Sequence, residues 1–209
     1  MPGTDIKKIL AALRREFPKA ETALRHSNPF ELLAATILSA QCTDERVNRV
    51  TPALFARYPS PAAFAAAKET DVEALMYSTG FYKNKARAII SASAAIVEKF
   101  GGKVPDTMDG LLSLRGVARK TANVVLGSAF GKAEGIVVDT HVKRLAFRLG
   151  LSDNTAPEKI EQDLMRLISR KDWIWFAHAL VLHGRKTCKA RGPDCANCAL
   201  SAFCPKRGL

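Results

Sequence analysis

Four cysteines close together in the chain, Cys188, Cys195, Cys198 and Cys204, stand in the spacing C-x6-C-x2-C-x5-C. They offer four thiolates within a span that one metal centre can gather. Chemistry alone leaves a zinc ion and a four-iron, four-sulfur (4Fe-4S) cluster both open, because each accepts four cysteines. No secretion-type apolar segment follows the first residues, which favours metal ligation over disulfides. The fifth cysteine, Cys42, follows an apolar stretch and reads as a buried thiol. A second kind of chemistry is offered by Lys120 and Asp139. Lys120 falls in the first turn of an expected helix, beside Arg119. The positive end of the helix dipole disfavours an ammonium there, and an amine so placed is a candidate nucleophile. Asp139 falls where the apolar run Ile136-Val-Val gives way to the amphipathic stretch Thr140-His-Val-Lys-Arg144. That is an N-cap position, which favours an ionised carboxylate.

Lys120 belongs to the segment Leu114-Arg-Gly-Val-Ala-Arg-Lys-Thr-Ala-Asn123. A tight turn around Gly116 would set backbone N–H groups at the start of a helix, where unpaired donors and partial positive charge suit a phosphate. The segment resembles the helix-hairpin-helix DNA-binding motif, whose usual form is Leu-Pro-Gly-Val-Gly followed by a basic pair and Thr-Ala. Arg115 stands where the motif has Pro, and Ala118 where it has its second Gly. A methyl group at 118 requires an ordinary backbone angle. The resemblance implies DNA contacts from Arg115, Gly116, Val117, Ala118 and Arg119, made to the backbone without regard to sequence.

Lys120, together with Val138-Asp-Thr-His141 some 19 residues on, resembles the active-site pair of the endonuclease III family. By that resemblance Lys120 attacks the sugar C1′ as a damaged base leaves, and Asp139 assists with charge or proton transfer. A Schiff base follows, and proton loss at C2′ breaks the strand by β-elimination. The likeness extends over almost the whole chain. Leu38-Ser-Ala-Gln-Cys-Thr-Asp44 and Gly80-Phe-Tyr-Lys-Asn-Lys-Ala86 match the family's two DNA-inserting segments. Gln41 and Phe81 would then fill the gap left by an extruded base, which enzymes acting on duplex bases require. The family often has Leu in place of Phe81, and an aromatic wedge there would alter the opposite-base preference. The cysteine spacing is that of the family's 4Fe-4S cluster. Lys189 and Arg191, with Lys186, Lys206 and Arg207, would give the cluster loop a basic surface facing DNA.

These residues need elements to hold them, and the composition points to helices. The chain has 209 residues, 47% of them apolar, enough for a core without disulfide support. Ala, Leu, Arg and Lys dominate its periodic stretches, so the expected fold class is all-α. Helices are expected at 5–17, from Pro29 through a nearly all-apolar stretch, and at 44–57, 61–68, 71–77 and 82–100. Others are expected at about 117–130, 139–149, 157–168 and 172–185. His178 and His183 on the last of these read as packing or capping residues, and His141 as a helix-surface one. Two helical lobes with a cleft between them are expected: a six-helix lobe over 22–132, and a second lobe from 1–21 together with 133–209 that carries the metal. The active site would lie in that cleft.

The charge supports the same partner. Lys plus Arg number 32 against 20 Asp plus Glu, a net charge of +12. The excess is concentrated, with seven basic to two acidic residues over 112–148 and six to one over the last 27. The expected partner is double-stranded DNA containing oxidised pyrimidines or abasic sites. The chain is expected to act as a monomer in the cytoplasm, nucleoid-associated if bacterial, and no run of about 18 apolar residues offers a membrane span. Two relatives within the fold are disfavoured. An adenine-mismatch glycosylase lacks the lysine nucleophile and needs a further recognition domain after the cysteines, and a thymine-mismatch glycosylase typically has tyrosine at the lysine position. A non-catalytic DNA-binding module would bind salt-sensitively without cutting.

Overall fold

A computed structural model describes residues 5–209, and every regular element among them is helical. The chain divides into two compact units, Thr22–Lys132 and the described residues through Glu21 joined with Ala133–Leu209.

The unit Thr22–Lys132 is built round α2 (Pro29–Leu38). Asn28 caps this helix, its Oδ1 accepting from the Glu31 N–H at 2.9 Å, and Pro29 fills the first helical position, where a missing N–H is harmless. Phe30 and every residue from Leu32 to Leu38 are buried, so α2 is covered all round, as its unbroken apolar sequence requires. Each such leucine contributes roughly 2 kcal/mol of burial. Around it lie α3 (Asp44–Arg57), α4 (Pro61–Ala65), α5 (Glu69–Met76), α6 (Tyr82–Phe100), α7 (Met108–Leu112) and α8 (Arg119–Phe130). The unit thus holds seven α-helices where six were expected. The extra one, α7, spans five residues behind a Thr107 cap and is too short to carry an apolar period. α6 presents Ala86, Ile89, Ala92 and Ile96 to the core against α4 and α5, and α8 packs on α2. α6 ends at Gly101, which takes the left-handed conformation usual for a helix C-terminus.

In the other unit α1 (Ile6–Glu16) buries Ile9, Ala12 and Leu13 and packs on α11 (Trp173–Lys186). Arg14 lies 3.5 Å over the Trp175 ring and pairs with Asp172 at 2.5 Å, while the Trp175 indole N–H donates to the Phe17 carbonyl at 2.8 Å. These contacts join α1 and the residue after it to the start of α11. α9 (Thr140–Arg148) packs on α11, and α10 (Pro157–Leu167) packs on α9. No helix among the described residues is long and apolar enough to cross a membrane.

Candidate active site and cysteine centre

The hairpin consists of α7, the turn 113–118 and α8. Gly116 sits at φ +81°, a left-handed angle, and an added Cβ would lie 2.7 Å from the Ala88 Cβ on α6. The turn therefore depends on glycine twice over, for its angle and for its close approach to α6. Val117 turns its side chain into the core, and its N–H donates to the Leu114 carbonyl at 3.2 Å. That amide closes the turn. Ala118 is the N-cap of α8 at φ −92°, ψ 169°, an ordinary extended conformation, so its methyl group is accommodated without strain. The helix accordingly starts at Arg119, two residues later than expected. Lys120 is its second residue and is exposed, as are Arg115, Ala118 and Arg119.

Two further exposed side chains of this unit stand on strained backbone. Gln41, in the link between α2 and α3, has φ +52°, and Phe81, just before α6, has φ +50°. Non-glycine residues occupy that region at a cost of about 1–2 kcal/mol, which persists only where the surroundings impose it. Phe81 is 62% exposed, so it is not the core residue that an apolar ring would ordinarily be.

In the second unit Asp139 is the N-cap of α9, as its position in the sequence predicts. Its Oδ1 accepts from the Val142 N–H at 2.8 Å. His141, the second residue of α9, contacts the Arg144 guanidinium at 3.1 Å, and burial lowers its pKa against the opposing pull of Asp139. His178 and His183 are also held below the ordinary imidazole range by burial.

The four clustered cysteines line a single pocket with Leu145, Leu149 and His183. The loop that carries them is held by two arginines from α9. Arg144 donates to the carbonyls of Gly184 and Cys188, each at 3.0 Å. Arg148 donates to the Lys189 carbonyl at 2.7 Å, the Ala190 carbonyl at 3.1 Å and the Cys188 Sγ at 3.3 Å. Burial pushes the Cys198 and Cys204 thiols up, and the neighbouring cysteines push them further. Four thiolates so crowded repel one another, and a cationic centre among them would relieve the repulsion. The donor set fits an all-thiolate metal centre. Among the described residues no group of His, Cys, Asp or Glu is drawn together as the ligands of a single metal ion.

Residues 34–170 match the family model of the HhH-GPD superfamily of base excision DNA repair proteins. The chain is 54% identical to the endonuclease III of Synechocystis sp. over 198 residues, 95% of this chain and 90% of that protein. The chain belongs to the endonuclease III family. Its identity to the Bacillus subtilis endonuclease III is 47%, over 90% of this chain and 86% of the relative. A solved structure of a trapped endonuclease III–DNA covalent intermediate superposes with a TM-score of 0.91 at 42% identity, covering 96% of this chain and 94% of that one. A thermostable thymine-DNA glycosylase, at TM-score 0.81 and 22% identity, shares the fold.

Three features of this family member escape sequence reasoning. The Cys198 Sγ lies 3.5 Å from the His183 Nε2, whose Nδ1 lies 3.3 Å from a Glu16 carboxylate oxygen, so His183 touches a candidate ligand and does more than pack. Arg144 and Arg148 count in the sequence only towards the basic excess over 112–148, yet they hold the cysteine loop. Their i, i+4 spacing on one face of α9 was the available signal. Lys85 is the third, a lysine only 5% exposed. Lys189 and Arg191 are exposed on the cysteine loop, as expected.

Proposed function

We propose that this chain removes oxidised pyrimidines from double-stranded DNA and cuts the strand at the resulting abasic site, with Lys120 as nucleophile and Asp139 as its charge and proton partner. As a member of the endonuclease III family it is a DNA glycosylase and abasic-site lyase of base excision repair. The observation that carries the assignment of Lys120 is its placement, exposed in the first turn of α8 directly after the Gly116 turn. The α8 N-terminus offers partial positive charge to a phosphate, which would fix the sugar beside the amine.

In the reaction the Lys120 Nζ forms a bond to C1′ while the glycosidic bond breaks and the base leaves, taking up a proton. The sugar ring opens to a Schiff base. Loss of a C2′ proton then expels the 3′ phosphate, and water releases the lysine. An Asp139 carboxylate would stabilise the cationic intermediate and handle protons, work typically worth about 10²–10⁴ in rate. Gln41 and Phe81, exposed on left-handed backbone, would occupy the space of the extruded base. Arg115, Gly116, Val117, Ala118 and Arg119 would grip the backbone, together with Lys189 and Arg191.

Cys188, Cys195, Cys198 and Cys204 would hold a 4Fe-4S cluster, for which their spacing and their gathering round one pocket speak. When bound it supplies the positive centre that four thiolates require, and it keeps the basic loop in shape. We place the chain in the cytoplasm, acting as a monomer.

Duplexes carrying thymine glycol test the reading. Wild-type protein should release the base and nick the strand, and Lys120→Gln should do neither while still binding an abasic duplex. Nicking by Lys120→Gln at the wild-type rate would refute the assignment. Salt-sensitive binding with no cleavage by the wild type would leave a DNA-binding module.

A further inference from the structure

Lys85 lies in the first turn of α6, where the helix dipole opposes a cation, and it is almost wholly buried. Burying an ammonium costs several kcal/mol unless strong contacts repay it, and a methionine would fill the same space without that cost. Burial does lower the Lys85 pKa, and the Cys42 thiol nearby acts in the opposite sense. What a lysine provides and a methionine cannot is a charged hydrogen bond. The Lys85 Nζ donates to the Thr79 carbonyl at 2.8 Å, while its own backbone N–H donates to the Phe81 carbonyl at 3.1 Å. One residue thus holds both sides of Gly80. Thr79 is itself buried, and its hydroxyl donates to the Met76 carbonyl at 2.8 Å. Gly80 (φ +67°) and Phe81 (φ +50°) both need support to keep left-handed angles.

We infer that Lys85 is a positioning residue for base extrusion: its buried ammonium clamps the Thr79–Phe81 turn, so that the Phe81 side chain is presented at a fixed angle. The inference rests on the proposed role of Phe81 as a gap-filling residue. The exposed Phe81 ring has little of its own packing to orient it, so the direction of its Cα–Cβ bond decides where it points. That direction is set by the backbone that Lys85 holds.

The test compares Lys85→Met, Lys85→Arg, Phe81→Ala and Gln41→Ala with the wild-type holoprotein on three readouts. These are single-turnover base release from a thymine glycol duplex, strand cleavage at a preformed abasic site, and fluorescence of 2-aminopurine placed opposite the lesion. Lys85→Met should keep the wild-type melting temperature, because a buried charge is removed along with its bond. Its base release should fall about tenfold, within the range expected for losing one base–aromatic stack. Cleavage of the abasic duplex should fall much less, and the 2-aminopurine signal should change as it does in Phe81→Ala. Lys85→Arg, which keeps a charged donor, should recover part of the loss. Wild-type base release by Lys85→Met, alongside a clear loss in Phe81→Ala, would overturn the inference and leave the gap-filling reading standing. An equal loss on both duplexes with a lowered melting temperature would reduce Lys85 to a structural part and also overturn it. No effect of Phe81→Ala and Gln41→Ala on any readout would overturn the gap-filling reading, and the inference with it.

Discussion

Gly116→Ala should cost about 2–5 kcal/mol, an amount with two separable parts. Holding an alanine at φ +81° costs about 1–2 kcal/mol. The new methyl carbon would lie 2.7 Å from the Ala88 Cβ, which is fixed to the α6 backbone and cannot rotate away. Overpacking of that kind costs about 1–3 kcal/mol. Urea unfolding monitored by circular dichroism measures the total. The parts separate when Ala88→Gly is added, since it removes the facing methyl but leaves the backbone angle. Alone, Ala88→Gly should cost about 1 kcal/mol as a glycine within a helix. The double variant should then be more stable than the sum of the singles predicts, by about 1–3 kcal/mol. DNA affinity should follow, because the clash would move the turn relative to α8. Additive single effects, or a cost for Gly116→Ala under about 0.5 kcal/mol, would show that the turn does not sit on α6 as described.

Asp139→Asn keeps a side-chain oxygen for the Val142 N–H, so unfolding free energy should change by less than about 0.5 kcal/mol, while strand cleavage should drop about 10²–10⁴-fold; a parallel loss of both would assign Asp139 a capping role alone. Burial holds the folded His178 pKa below its ordinary 6.5, so the imidazole stays neutral in the fold and takes up a proton on unfolding. Its contribution to stability is complete above that value and is lost as pH falls from there towards the folded pKa. His178→Gln should therefore flatten the decline in stability between about pH 7 and pH 5, and an unchanged slope would contradict the burial argument. Removing the metal centre by chelation, or Cys204→Ser, should speed hydrogen exchange over residues 188–209 and leave α2 and α6 as protected as before; uniform exchange would contradict a local role.

Much of the fold is legible where local chemistry decides it. Asn28-Pro29 marks the start of α2, and Gly101 stops α6, because caps act through backbone angles and single hydrogen bonds. The limits of α3 and α6 follow for the same reason. The helix opened by Pro61 ends at Ala65 and not at Lys68 because its last carbonyls are taken up by tight turns, which periodicity does not announce. The candidate site divides likewise. Asp139 reads as a cap from an apolar-to-amphipathic change, and Lys120 reads as a first-turn residue from the glycine before it. Burial of Lys85 and the contact of His183 with Cys198 depend on residues that meet only after packing. The pairing of the N-terminal helix with the cysteine-bearing segment follows from the family resemblance, not from any local pattern.

The central claim is that Lys120 forms the covalent bond to DNA. Borohydride reduction during reaction with a thymine glycol duplex, followed by proteolysis and mass spectrometry, locates that bond. The account predicts a reduced sugar adduct on the peptide containing Lys120, formed with an abasic duplex as well and absent in Lys120→Ala. An adduct on another residue, or one that persists at the wild-type yield in Lys120→Ala, would contradict it.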